Sequence, residues 1–121
     1  MINFDVKIDI DKGKLKSKEE QAAKLSQFQL DEAVLKDSND YIPADTWNLR
    51  DSSLLHSKIG KGEVAWQTKY ARRLYYNPQY NFSKDKNPKA QGLWFEAAKA
   101  QNKKHWIDIV KEVYKKVFDG R

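Results

Sequence analysis

The 121-residue chain has the length of one ordinary domain, and we expect residues 1–121 to form a single domain. Hydrophobic residues make up 40% of the chain and aromatic residues 12%, which is enough to build a core. The chain contains no cysteine, which excludes disulfides, a thiol nucleophile and a cysteine-based zinc site. No apolar run approaches the roughly 20 residues of a membrane span, so we expect no membrane partner.

Charge is distributed unevenly along the chain. Residues 1–57 carry 8 Lys and Arg against 11 Asp and Glu, or about −3, whereas residues 58–121 carry 15 against 6, or about +9. A basic half indicates a surface for nucleic acid or for an acidic protein. A solvated, lysine-rich helix gives the same pattern and is the slightly favoured interpretation, and the sequence leaves both open.

The first two elements have clear patterns. Residues 3–10 alternate apolar and polar side chains, which is the period of a half-buried strand. The S-x-x-E spacing of Ser17 and Glu20 predicts a capping box and a helix that runs to about Asn39. That helix must end before Pro43, which cannot donate a helical hydrogen bond. We expect its core face to include Ala22, Leu25, Phe28 and Leu35.

The segment PADTWNLRDSS, residues 43–53, predicts a structural corner. Asp45 or Thr46 is a good N-cap for one helical turn, TWNLRD, in which Leu49 faces the core. We expect Trp47 to have an ordinary negative φ, because an aromatic residue at positive φ is strained. Its ring then lies on a partner surface or covers the end of the sheet.

The second half of the chain predicts a hairpin, an irregular segment and a helix. A GKG turn separates two runs of strand character, 53–59 and 63–68. Residues 69–76 fit either a third strand or a short helix, and residues 77–92 predict a long loop. Apolar residues at helical spacing predict a last helix over 93–118. The whole order indicates an α+β fold, with a small, mostly antiparallel sheet packed against two helices.

The sequence lacks the groups that a hydrolytic site needs. Asp51, Ser52 and His56 come nearest to a catalytic assembly, but in an extended strand Ser52 and His56 stand roughly 13 Å apart. We therefore predict that His56 is a solvent-facing strand residue. Asp45 and Asp51 lack the further ligands of a metal site, and the glycines lack the spacing of a phosphate loop. We expect a protein that is not an enzyme and holds no cofactor.

The segment KYARRLYYNPQYNF interleaves cations with aromatic rings. Such rings beside cations suit the bases and phosphates of single-stranded nucleic acid. Alternatively, the tyrosines close one end of the core and the arginines pair with the acidic first half. The candidate interaction residues are Trp47, from the corner, and Arg72, Arg73, Tyr75, Tyr76, Tyr80 and Phe82, from this segment.

Two stretches, YIPADTWNLRDSSLL and GEVAWQTKYARRLYYNPQYNFSKDKNPKAQGLWFEAAKAQNKKHW, lie within roughly residues 40–106. Together they resemble the minor capsid proteins of tailed phages and prophages of Gram-positive bacteria, and the wider group of tail-completion and head–tail joining proteins. Where that family usually has glycine, this chain has Trp47. The matching residues are Pro43, Asp45, Thr46, Asn48, Leu49, Arg50, Ser52, Tyr70, Ala71, Trp94, Phe95, Ala97 and Ala98.

The resemblance implies a structural virion component that acts at the head–tail neck or the tail terminus and is assembled in the host bacterial cytoplasm. It implies partners among the other neck proteins, namely head-completion or adaptor proteins and tail tube or terminator proteins, and a homo-oligomeric ring. Opposite charge in the two halves of the chain suits head-to-tail contacts in such a ring, although charge balance within a single fold gives the same sequence pattern. A basic module that binds single-stranded nucleic acid is the alternative function.

Overall fold

The computed structural model describes residues 1–8, 17–43, 48–78, 82, 84 and 87–119. These residues form two strands and four helices, which confirms the predicted α+β class. None of the described helices is long and apolar enough to cross a membrane. In chain order the elements are β1 (Ile2–Asp5), α1 (Ser17–Asn39), α2 (Asn48–His56), β2 (Glu63–Trp66), α3 (Ala71–Tyr75) and α4 (Trp94–Phe118).

The two strands pair as an antiparallel sheet, in a register that places Phe4 opposite Val64. The N–H of Val6 extends the ladder by donating to the carbonyl of Gly62 at 2.6 Å. Because hydrogen-bonded and non-bonded pairs alternate in antiparallel sheets, the even-numbered residues of β1 bond to β2. A strand was predicted over residues 3–10, and its pairing with β2 ends at the Val6 bond. Residues 9 and 10 lie outside the described part of the chain.

α1 begins and ends where the sequence predicts, but its buried face is different. Ala22 and Leu35 are buried as expected, whereas Leu25 and Phe28 are exposed, so placing those two in the core is wrong. The buried stripe follows helical spacing, yet several of its members are polar and therefore do not appear in an apolar pattern. Its other members are Ser26, Asp31, Val34 and Ser38.

The hairpin predicted over 53–68 is wrong in its first half, because residues 48–56 form α2. Residues 48–51 of the single turn predicted over 46–51 belong to this longer helix, and Leu49 does face the core. Residues 46 and 47 lie outside the described part of the chain. Ser52 and Ser53 are buried beside it, and their hydroxyls donate to carbonyls three residues earlier at 2.7 and 2.5 Å. The helix thus satisfies its own buried hydroxyl groups, which lets serine take core positions.

The structure confirms the part of the predicted hairpin that surrounds the glycine turn. Lys58 forms an antiparallel bridge to Glu63, and β2 follows directly, within the run predicted as a strand. Gly60 and Gly62 have φ of 90° and 78°, a conformation that glycine adopts without strain.

The core is dominated by aromatic rings from three parts of the chain. The ring of Phe4 stacks on Phe95 with centroids 4.5 Å apart, and Tyr75 meets Trp94 edge to face at 4.6 Å. Trp106 of α4 lies further along and donates its indole N–H to a carboxylate of α1. These contacts hold the sheet, α3 and both long helices together.

Two asparagines fasten the connections around this core. The Asn39 side chain accepts the indole N–H of Trp66 at 2.9 Å and donates to the Ser53 hydroxyl at 3.0 Å, which joins α1 to β2 and α2. The buried amide of Asn87 donates to the carbonyls of Asp40 and Ile42. The chain that leaves α1 is thereby held against the segment that leads into α4.

Candidate interaction surfaces

The structure places the predicted interaction residues in different environments. Trp47 and Tyr80 lie outside the described residues. The prediction of a negative φ at Trp47 and of an N-cap at Asp45 or Thr46 falls on the same undescribed stretch, residues 44–47. Tyr75 is fully buried and its ring belongs to the core, so it is not part of any surface. Phe82 is half-buried. The exposed members of the set are Arg72, Arg73 and Tyr76.

Arg72 and Arg73 lie on α3 and Tyr76 directly follows it, in the segment for which the sequence left strand and helix open. With two neighbours they form what we call the α3 surface: Lys69, Tyr70, Arg72, Arg73 and Tyr76, all exposed. Lys69 and Arg73 lie 5.5 and 5.7 Å from the Tyr70 ring centroid, and Arg72 lies 5.6 Å from that of Tyr76. The three cations therefore rest against the two rings, an attraction that orders both partners.

The short helix beneath this surface is firmly anchored. Ala71 and Tyr75, four residues apart and on one helical side, are both buried. The N–H of Leu93 donates to the Tyr75 carbonyl at 2.9 Å, and a Cβ on Gly92 would lie only 2.9 Å from the carbonyl oxygen of Leu74. Such a close approach requires glycine, and it presses the start of α4 against the end of α3.

A second exposed feature was missed from the sequence. Leu54 and Leu55 of α2 are 66% and 80% exposed, although Leu49 on the same helix is buried. The adjacent leucines lie away from the buried side because successive residues of a helix are separated by about 100°. A helical reading of NLRDSSLLH would have found them, since Leu49, Ser52 and Ser53 then share one side.

Ser52 and His56, which the sequence analysis rejected as a catalytic pair, are closer together than a strand would place them. His56 is the last residue of α2 and not a strand residue, so it stands one helical turn from Ser52, and the separation argued from a strand is wrong. Ser52 is buried instead, and its hydroxyl donates to the Leu49 carbonyl and accepts the N–H of Gln67 at 3.1 Å. Both hydrogen-bonding roles of the hydroxyl are thus used within the fold. Among the described residues no group of three or more metal-ligating side chains comes together.

One buried carboxylate has a structural environment. The Asp31 carboxylate accepts the N–H groups of Gly60 and Gly62, both at 2.8 Å, and the amide of Gln27 at 2.8 Å. Burial raises the pKa of Asp31, while these three hydrogen bonds oppose the rise. The side chain fixes the turn that leads into β2.

One known protein family matches most of the chain. A family model described as "Minor capsid protein" matches residues 6–114, a range that includes all four helices except the last residues of α4. No curated protein and no solved structure matches the chain. The family match confirms the resemblance to minor capsid proteins seen in the sequence. The chain belongs to the family of phage minor capsid proteins.

Proposed function

We propose that this minor capsid protein is a structural subunit of the phage neck, at the head–tail junction or the tail terminus, and that copies of it form a ring there. The family match supports a structural role in a phage virion. The observation that carries the proposal is the exposure of Leu54 and Leu55, which gives the isolated chain an apolar site facing solvent.

The two exposed features suit different neighbours. Burial of each leucine against a neighbouring subunit would contribute about 1.5–3 kcal/mol. The α3 surface offers charge and aromatic rings instead, which favour specificity in a contact with an acidic protein. A subunit in a head-to-tail ring needs two unlike contact surfaces, and α2 and α3 provide them. The further partners in this proposal are a head-completion or adaptor protein on one side and a tail tube or terminator protein on the other.

The proposal is tested on purified virions. Mass spectrometry should detect the chain in mature particles that have been assembled in the host cytoplasm. Immunogold labelling should place it at the neck. Absence from mature particles contradicts a virion role, and label spread over the capsid shell contradicts the neck.

The double variant Leu54→Ser/Leu55→Ser tests the α2 contact. We expect the free energy of unfolding to change by no more than about 0.5 kcal/mol, because both side chains are exposed in the isolated protein. We expect the variant to be largely missing from virions, as measured by quantitative mass spectrometry of particles from a complementation assay. The matched control is Gln67→Ser, another exposed position, which should be incorporated normally. Normal incorporation of the leucine variant would show that α2 is not a contact.

The second candidate function is binding of single-stranded nucleic acid by the α3 surface. Its exposed arginines favour this function, since cations and rings together bind phosphates and bases. However, a base must compete with the cation that already lies on each tyrosine ring. Fluorescence anisotropy with a labelled oligonucleotide should show salt-dependent binding that Arg72→Ala/Arg73→Ala weakens and Lys115→Ala/Lys116→Ala does not. Absence of binding at low salt rejects this function.

A further inference from the structure

The outer edge of β2 is closed by hydrogen bonds from the α2 side. The N–H of Ala65 donates to the Ser57 hydroxyl at 2.9 Å, and the N–H of Gln67 donates to the Ser52 hydroxyl at 3.1 Å. The Glu63 carbonyl accepts the N–H of Lys58 at 2.8 Å. These contacts occupy outward-pointing backbone groups of Glu63, Ala65 and Gln67, which blocks the pairing of a further strand along this edge.

The outer edge of β1 has the opposite character. Since the even-numbered residues of β1 bond to β2, the N–H and C=O groups of Asn3 and Asp5 point away from it. Within the described part of the chain no backbone group pairs with them. An edge of this kind is a template for an additional strand.

A groove of about 470 Å³ begins at the end of this edge. Residues 5–8 form one wall and α4 forms the other, and α1 provides the floor. The floor is apolar, with Leu30 and Val34, and the α4 wall adds apolar side chains that include Trp106 and Ile107. The groove therefore lies where a third strand beside β1 would place its inward-facing side chains.

Lysines surround this apolar floor. Lys99, Lys103 and Lys111 lie in one row along α4. The row has a spacing of four residues, and Ile107 occupies its third position. Lys7 also lines the groove, with the stem of its side chain beside Gly62, and Asp5 is the acidic side chain among the described lining residues. All four lysines are exposed, so an incoming segment meets a net positive rim around an apolar centre.

We propose that the β1 edge and this groove bind an extended segment of a partner protein in which apolar and acidic residues alternate. The backbone of the segment pairs with Asn3 and Asp5. Because side chains of a strand alternate between its two faces, the apolar set packs on the groove floor, while the acidic set lies on the solvent face of the strand, within the positive field of the lysines around the groove. This inference concerns the surface alone and does not depend on a position at the neck.

Synthetic peptides of about ten residues provide the probe. One alternates Val and Glu, and its matched control alternates Val and Lys. We expect the acidic peptide to bind in a fluorescence anisotropy titration, less tightly as salt rises, and the basic peptide to bind at least about tenfold more weakly. N-methylation of every second residue along one edge of the acidic peptide should abolish binding, because it removes the paired N–H groups.

Charge reversal on α4 locates the site. Lys99→Glu/Lys103→Glu should weaken binding of the acidic peptide by about tenfold or more. Lys115→Glu/Lys116→Glu, on the same helix but outside the groove, should leave binding unchanged. Circular dichroism should show both variants folded, which is expected because all four side chains are exposed.

Three outcomes would overturn the proposal. Equal binding of the acidic and basic peptides removes the charge argument. Binding that is unaffected by Lys99→Glu/Lys103→Glu places the peptide elsewhere. Concentration-dependent dimers of the chain that the same variant dissolves would show that a second copy occupies the groove.

Discussion

Asp31 and Gln27 together hold three separate segments of the chain in place. The Gln27 amide donates to both the Asp31 carboxylate and the Val6 carbonyl, and its oxygen accepts the N–H of Ile8 at 2.8 Å. Both the nitrogen and the oxygen of the Gln27 amide therefore have hydrogen-bond partners, which fixes its orientation. Asp31 binds the glycine turn before β2, so the two side chains together connect the end of β1, α1 and the start of β2.

Asp31→Asn tests this restraint with almost no change in volume. The new amide must place its N–H₂ either against the donating amide of Gln27 or against the N–H groups of the glycine turn, so donors face donors. We expect a loss of about 2 kcal/mol in the free energy of unfolding, measured by urea denaturation at neutral pH. Asp40→Asn, an exposed carboxylate just after α1, is the control and should change stability by about 0.5 kcal/mol or less.

The raised pKa of Asp31 adds a dependence on pH. Because folding raises its pKa above the ordinary value of 3.8, the folded state holds the proton more tightly than the unfolded chain does. Its contribution to stability is therefore fully present below pH 3.8 and is lost as pH rises through the raised value. The free energy of unfolding of the natural protein exceeds that of Asp31→Asn, and this difference should decrease as pH increases through the raised pKa. A difference that grows with pH would show the pKa to be lowered.

Among the elements, α2 shows why part of the fold was not predictable from the sequence. α1 was predictable because a capping box begins it and Pro43 requires it to end, and α4 because its apolar residues repeat at helical spacing. In α2 two of the three buried residues are serines, so the segment has no apolar period to detect. Their hydroxyls are satisfied by the helix itself and by β2, which only the three-dimensional contacts reveal.

α3 shows the same limit for the site. The sequence did identify the mixture of cations and rings, and Arg72, Arg73 and Tyr76 are exposed. Tyr75 and Tyr76 are indistinguishable in sequence until the element type is known, since a helix buries Tyr75 with Ala71. The groove could not be predicted at all, because it depends on residues 5–8 meeting a helix about ninety positions later.

The serines that close β2 offer a test at this scale. Ser57→Ala removes the acceptor for the Ala65 N–H and should lower stability by about 1 kcal/mol. Native-state hydrogen exchange should become faster at the Ala65 amide in particular. Ser52→Ala should act in the same way on the Gln67 amide, so each variant is the control for the other. Unchanged exchange at both amides would contradict the closed edge.

For the whole molecule, the pairing of α1 with α4 matters most, because it brings together the acidic first half and the basic second half of the chain. Trp106 is buried between the helices, and its indole N–H donates to the Asp37 carboxylate at 2.6 Å. The partners are 69 residues apart in sequence. Their contact therefore reports on the formation of the complete fold and not of one helix.

A double-mutant cycle with Trp106→Phe and Asp37→Asn measures this contact. We expect a coupling free energy of about 1.5 kcal/mol, because the acceptor is charged and partly shielded from solvent. Trp106→Phe with Asp108→Asn provides the matched cycle, since Asp108 is exposed on the same helix, and its coupling should be close to zero. Equal coupling in the two cycles would mean that the hydrogen bond does not contribute.

The difference between the two edges of the sheet limits how the protein can polymerise. A sheet with two open edges accepts strands on both sides and can grow into an unlimited fibre, which is the hazard of a protein concentrated at an assembly site. Here Ser52 and Ser57 close the β2 edge, so the edge of β1 is the side of the sheet that is open to a further strand. Two copies of the chain that pair through β1 form a joined sheet whose outer edges are both closed β2 edges, so strand pairing between copies stops at a dimer.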